Sequence, residues 1–222
     1  PTGCENATVL RELMDAANRI LEHHPLNEKL RAEGKMPANG VWFWAEGTAV
    51  KLPDFKQETG HDGVVVSAVP LCHGIAALTG LSFVCPEGAT GEKDTNYENK
   101  LAAALKILED HDFAAVHVEA PDECTHNGDL EGKLEAIGWL DTRLIRPLDA
   151  AMRERGWDYR LLFLSDHKTL TSTRGHDGDP VPYMLYDSRV DTKAGLPYTE
   201  KSGEKGPYVD AGIALMSILF EK

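Results

Sequence analysis

No stretch of this chain is long and apolar enough to cross a bilayer as a helix, which takes about 18 residues. The nearest candidate, Ala211 to Phe220 (AGIALMSILF), is far shorter and is expected to form a buried terminal helix. Basic residues are scarce too: 23 Lys and Arg stand against 36 Asp and Glu, a formal net charge of −13. That balance argues against nucleic acid, whose phosphates need a basic face. Cysteine is sparse and without pattern. Cys4, Cys72, Cys85 and Cys124 make no C-x-x-C pair, so free thiols in a reducing cytoplasm are favoured over disulfides or a zinc knuckle. No signal peptide is expected, and internal repeats and low-complexity tracts are lacking. The sequence begins at Pro1 rather than Met, and a fragment or processed product is expected.

What is present is the ordinary balance of a globular protein, 42% hydrophobic and 27% charged residues. A length of 222 residues allows one large domain, or one with a small appendage. If so acidic a protein handles anions, it must supply positive charge locally, from a bound metal or from a few placed Lys and Arg.

Glu5 to His23 carries Val9, Leu10, Leu13, Ala16, Ala17, Ile20 and Leu21 at helical spacing, with Pro25 as its stop. The segment Asn27 to Asn39 is polar and is expected to be a mobile connector. Residues 1–39 are therefore read as an N-terminal helix and connector, and 40–222 as the main, partial domain. Within it, GVWFWA (Gly40 to Ala45) and VVVSAV (Val64 to Val69) are predicted buried strands, and Leu71 to Leu78 a short helix behind them. Pro86 to Tyr97 is rich in turn formers, and Thr95 or Asn96 caps a helix running through Leu108. A strand FAAVHVE, one long helix from Leu130 to Arg155, a strand YRLLFL and a further strand Pro182 to Tyr186 complete the pattern. Helices alternating with short apolar strands predict an α/β fold with a mostly parallel sheet flanked by helices.

In such sheets function collects past the carboxyl ends of strands. Two of those positions carry metal-ligand residue types. After FAAVHVE come Asp122 and His126, four residues apart in an expected loop; after YRLLFL come Asp166 and His167. His176 follows within Arg174-Gly175-His176-Asp177. Each piece alone has a bland alternative, a turn cap or a solvated histidine, but three loops at one sheet edge favour a metal. Mixed nitrogen and oxygen donors suit Mn²⁺ or Zn²⁺ better than Mg²⁺. His23, His24, His61, His73 and His111 have no comparable context and are taken as structural, and His117 as core. Gly88-Ala89-Thr90-Gly91 lacks the G-K-[ST] ending of a nucleotide loop and is read as a turn shaping the site.

The segments HVEAPDECTHNGDLEGKLEAIGWLD, FLSDHKTLTSTRGHDGDPVPYMLYD, PEGATGEKDTNYENK and HPLNEKLRAEGKMPANGVWFWAEG resemble those of archaeal-type cofactor-independent phosphoglycerate mutases, in the alkaline phosphatase superfamily. The resemblance implies an alkaline-phosphatase-like metalloenzyme core lacking its first strand or strands. It implies two divalent metal ions: one held by Asp122, His126 and His176, the other by Asp166 and His167 with an Asp and a nucleophilic Ser from outside these motifs. Only the first site is then complete in this chain. Ser165, directly before Asp166, is not expected to replace that serine, and Asp62-Gly63 precedes rather than follows its apolar run. The implied reaction interconverts 2- and 3-phosphoglycerate through a phosphoserine, with the fragment itself inactive. Arg174 and, more weakly, Lys35 are candidate substrate ligands. Alternatives are a phosphomonoesterase or related phosphotransferase on the same metals, or a metal-stabilised domain without catalysis. A small phosphorylated substrate, a cytoplasmic location and self-association through an unpaired sheet edge are further expectations.

Overall fold

The computed structural model describes residues 6–44, 47–190 and 195–220. The chain falls into two compact units, Pro1–Val50 and Lys51–Lys222.

The first unit holds helices α1 (Ala7–Glu22) and α2 (Pro25–Ala32). The expected polar connector is thus helical over its first part. Pro25 does not simply stop α1; it occupies the first turn of α2, where its missing N–H costs nothing, and the His24 side chain accepts from Leu26 N. Asn27 is buried and bonds three ways, donating to Leu21 O and Ala38 O and accepting from Ala38 N. The predicted strand at GVWFWA is also corrected. Residues 40–44 have no strand partner among the described residues, and Trp42 and Trp44 are 71% and 78% exposed. An apolar run cannot become a strand without a ladder to join. Ala45, the last residue of that prediction, lies outside the described residues.

The second unit opens with α3 (Phe55–Thr59) and then β1 (Gly63–Val66), α4 (Pro70–Leu78), β2 (Ser82–Val84), α5 (Tyr97–Ile107) and β3 (Phe113–Val116). The three strands pair in parallel, in the order β2-β1-β3. Parallel neighbours require crossovers, and α4 and α5 supply them. Asn96 caps α5 by accepting from Asn99 N, as the sequence suggested. Gly63 lies directly beside Phe113: a Cβ there would stand 2.6 Å from the Phe113 carbonyl oxygen. Only glycine lets β1 and β3 approach so closely.

After β3 come α6 (Ala120–His126), α7 (Leu130–Trp139), a π-helical turn (Leu140–Ile145) and α8 (Arg146–Glu154). The single long helix expected here is interrupted, and Pro147 is the cause. It lacks an N–H and crowds the preceding turn, and the neighbouring Arg146 N–H reaches back five residues to Asp141 O. Leu144, Leu148 and Met152 are buried, whereas Leu134 and Ile137 are exposed and Ala136 takes the inward position.

Two antiparallel pairs follow. β4 (Arg160–Leu164) pairs with β7 (Tyr183–Asp187), and Arg160 bridges the carboxylate of its partner Asp187 at 2.7 Å. β5 (Lys168–Leu170) and β6 (Gly175–Asp177) form a hairpin in which Thr169 faces His176. Among the described residues the expected parallel character therefore belongs to β1–β3 alone. Helices α9 (Glu200–Gly203) and α10 (Ala214–Phe220) close the unit, and α10 buries Leu215.

Candidate metal centre

The D-x-x-x-H segment is helical rather than a loop. Pro121 starts α6, and the Thr125 hydroxyl donates to its carbonyl. A spacing of four then puts Asp122 and His126 on one helical face, with His126 Nε2 at 3.3 Å from Asp122 Oδ2. The β5–β6 hairpin brings the rest. His176 Nε2 lies 3.3 Å from Asp122 Oδ1 and 3.0 Å from His126 Nε2, so the three side chains converge in one triangle. His167 enters beside them, its ring centroid 3.8 Å from that of His176. The Asp122, His167 and His176 donor atoms lie within 4.8 Å of one another. Asp166 stands at the margin, 80% exposed, with Oδ2 at 3.4 Å from His167 Nε2.

Groups behind the triangle set which ring nitrogens face it. His126 Nδ1 lies 2.7 Å from Arg174 O. A carbonyl oxygen can only accept, so Nδ1 carries the proton and Nε2 of the neutral ring presents its lone pair to the cluster. His167 is held the same way, with Nδ1 at 3.1 Å from Lys168 O. The Thr169 hydroxyl donates to Asp122 Oδ1 and lies 3.3 Å from His167 Nδ1. Carbonyl- and hydroxyl-anchored imidazoles beside a carboxylate are the donor set a borderline divalent cation takes, and the residues present fit such an ion.

Arg174 is the turn residue of the hairpin. Its φ of 54° is unusual for a residue with a side chain, and its N–H donates to Leu170 O. That conformation aims its carbonyl at His126. Its guanidinium packs over Gly128, where a Cβ would come within 2.5 Å of Cζ. Lys35 lies in the first unit, paired with Glu33 at 2.7 Å.

Around the carboxyl ends of β1 and β3, Ser67 Oγ meets His117 Nδ1 at 3.2 Å, and His73 Nε2 donates to Ser67 O. Buried Lys100 donates to His117 O at 2.9 Å. Burial, reinforced by the Lys100 charge, holds the His117 pKa below its usual value. Burial lowers the Lys100 pKa too. It raises that of Glu119, with Glu123 and Asp122 adding to the effect. Asp62 is engaged by His111 at 3.1 Å and Lys56 at 3.2 Å, and His61 pairs with Asp112. Cys72, Cys85 and Cys124 are free thiols. Sequence patterning did not single out Thr169, Lys100 or Glu119. The spacing of Thr169, two residues past the Asp-His pair on an alternating strand, was the available signal.

A family model described as the Metalloenzyme superfamily matches residues 6–221. A Geobacter sulfurreducens protein named a probable 2,3-bisphosphoglycerate-independent phosphoglycerate mutase is 41% identical over 98% of this chain. A Methanosarcina acetivorans protein with that mutase name is 39% identical over 87% of it. The chain spans about half the length of these curated relatives, 55% and 49% respectively. A solved Pyrococcus horikoshii protein is similar in fold at a TM-score of 0.78 and 28% identity, over all of this chain and 60% of that one.

Proposed function

Because the chain belongs to the metalloenzyme superfamily, we propose that Asp122, His126 and His176 hold one divalent cation. Asp166 and His167 contribute to a second. We further propose that the protein containing this chain is a 2,3-bisphosphoglycerate-independent phosphoglycerate mutase, the activity named for its similar relatives. The convergence of His126 Nε2, His176 Nε2 and the Asp122 carboxylate, each pair 3.0–3.3 Å apart, carries the assignment. Two imidazoles and one carboxylate favour Mn²⁺ or Zn²⁺ over Mg²⁺.

When bound, a divalent cation here supplies charge neutralisation for a transferring phosphoryl group and acidifies a hydroxyl nucleophile. The chain's own residues orient the donors. Arg174 O fixes the His126 ring, Lys168 O fixes that of His167, and the Thr169 hydroxyl holds Asp122. His176 is half exposed, which leaves the cluster open to a small phosphorylated substrate arriving from solvent. The serine nucleophile and further Asp that the resemblance calls for lie outside the matched motifs, so this chain alone is expected not to turn over. We propose a cytoplasmic location, the reading favoured by a small phosphorylated substrate.

Metal content and melting temperature before and after chelation test the assignment. About one equivalent of Mn or Zn is expected in the purified chain, with a fall in Tm on chelation; His126→Ala loses both. At a free metal concentration of about 100 Kd, linkage is worth about 2.7 kcal/mol, or roughly 5–11 °C for a chain of this size. Absence of bound metal, with no response to added Mn²⁺ or Zn²⁺, overturns it.

A further inference from the structure

Asparagine is followed by glycine twice in this chain, at Asn39-Gly40 and Asn127-Gly128. In such a pair the glycine main-chain nitrogen can attack the asparagine side-chain carbonyl carbon, because no Cβ blocks the approach. The nitrogen first loses its proton to base. The N–Cγ bond then forms, the side-chain amide takes up a proton and leaves as ammonia, and water opens the cyclic imide to aspartate or isoaspartate. A nitrogen whose N–H is held in a hydrogen bond can react only when its surroundings open.

Both asparagines are exposed, so exposure does not separate them. Their backbones do. Asn127 closes α6 with φ −76° and ψ −8°, and Gly128 follows at φ 74°. The Gly128 N–H donates to Thr125 O at 3.0 Å and the Asp129 N–H to Cys124 O at 2.7 Å, the paired bonds that end a helix on a left-handed glycine. Thr125 and Cys124 are buried, so the attacking nitrogen is tied to packed residues. Asn39 lies within residues 35–44, which form neither helix nor strand. Among the described residues the Gly40 N–H donates to no backbone carbonyl. Asn27 holds Ala38 through its N–H and its carbonyl. The Asn18 amide, with its nitrogen turned towards the carbonyls, lies 3.3 Å from Asn39 O. Neither contact engages the Asn39 side chain or the Gly40 N–H.

We propose that Asn39 is a site of spontaneous modification, converting to aspartate and isoaspartate in the folded protein, while the cap of α6 spares Asn127. In isoaspartate the carbonyl that Asn18 holds becomes a free carboxylate, and the path to Gly40 gains a methylene. The change therefore loosens the tie between α1 and the exposed apolar residues 41–44. It depends on neither the metal assignment nor the mutase reading.

Both residues are followed in one sample. The chain is held at pH 7.5 and pH 9 in native buffer and, in parallel, in urea. Peptides carrying residues 39 and 127 are resolved by mass spectrometry, with isoaspartate confirmed by enzymatic methylation. In urea the two asparagines should convert at similar rates, faster at the higher pH. In native buffer Asn39 should nearly keep its unfolded rate, whereas Asn127 should slow tenfold or more. Asn39→Gln, whose longer side chain closes a less favourable ring, should remove the early isoaspartate signal. The inference is overturned if the two residues convert at equal rates in the folded protein, or if Asn127 converts first.

Discussion

Replacing Thr169 with Val removes one hydroxyl and keeps the β-branched shape. In the native protein that hydroxyl donates to Asp122 Oδ1 and lies 3.3 Å from His167 Nδ1, touching one residue from each proposed ion site. A hydrogen bond to a charged group contributes about 1.5–3 kcal/mol. The Asp122 side chain is 22% exposed, which places this one at the lower end. Groups that orient metal-ligating residues typically account for about 10–100-fold in affinity, so the two routes agree on roughly tenfold. The assay is competition for Mn²⁺ or Zn²⁺ against a chromophoric chelator, on wild type, Thr169→Val and Thr169→Ser. Val should weaken binding about tenfold, and Ser, which restores the donor, should recover most of it. In chelator the Val variant should lose about 1–2 kcal/mol of stability, since Asp122 Oδ1 then loses its hydroxyl donor. A folded Thr169→Val protein that binds metal as tightly as wild type refutes this account of how Asp122 is held.

One substitution tried at two glycines should act in opposite directions. Gly63→Ala drives a methyl to within 2.6 Å of the Phe113 carbonyl oxygen, and overpacking against backbone costs about 1–3 kcal/mol or more. Gly138→Ala, exposed in α7 with nothing within 4 Å, should stabilise by about 0.5–1 kcal/mol. Equal Tm values for the two variants would contradict the packing. At Tyr97 the hydroxyl is buried with no partner among the described residues, so Tyr97→Phe should raise Tm by about 2–4 °C at pH 7. Burial pushes the Tyr97 pKa up to about 12. The unfolded chain releases that proton near pH 10 and the folded protein does not, so stability is intact below about pH 10. Each further pH unit up to about 12 costs up to about 1.4 kcal/mol in wild type. Chemical denaturation at pH 9 and 11 should show a shallower slope in Tyr97→Phe than in wild type, the remainder coming from Tyr159 and Tyr198, whose pKa values burial also raises.

The D-x-x-x-H and Asp-His motifs were legible because both follow apolar runs that became strands, β3 and β4, and topology puts the ends of strands at functional edges. Their local form was less so. Asp122 and His126 were expected in a loop, whereas Pro121 and the Thr125 hydroxyl build a helix from seven residues, with no apolar stripe to announce it. The β5–β6 hairpin, which delivers His176, has strands of three residues, too short for alternation to appear. GVWFWA misled for the converse reason: composition reports a taste for burial, not the presence of a partner strand. At Pro147 the signal was visible in the sequence, yet the helical stripe on either side of it masked the break.

Fifty residues of chain separate His126 from His176, and α7, α8 and β4 lie between them. Closing a loop that long costs a flexible chain roughly 3.5 kcal/mol in entropy beyond a constant. A cation gripped from both sides would act there as a staple that chemistry can insert or withdraw. Unlike a disulfide, it would come and go with free metal concentration, and the hairpin would be the first element to feel its removal.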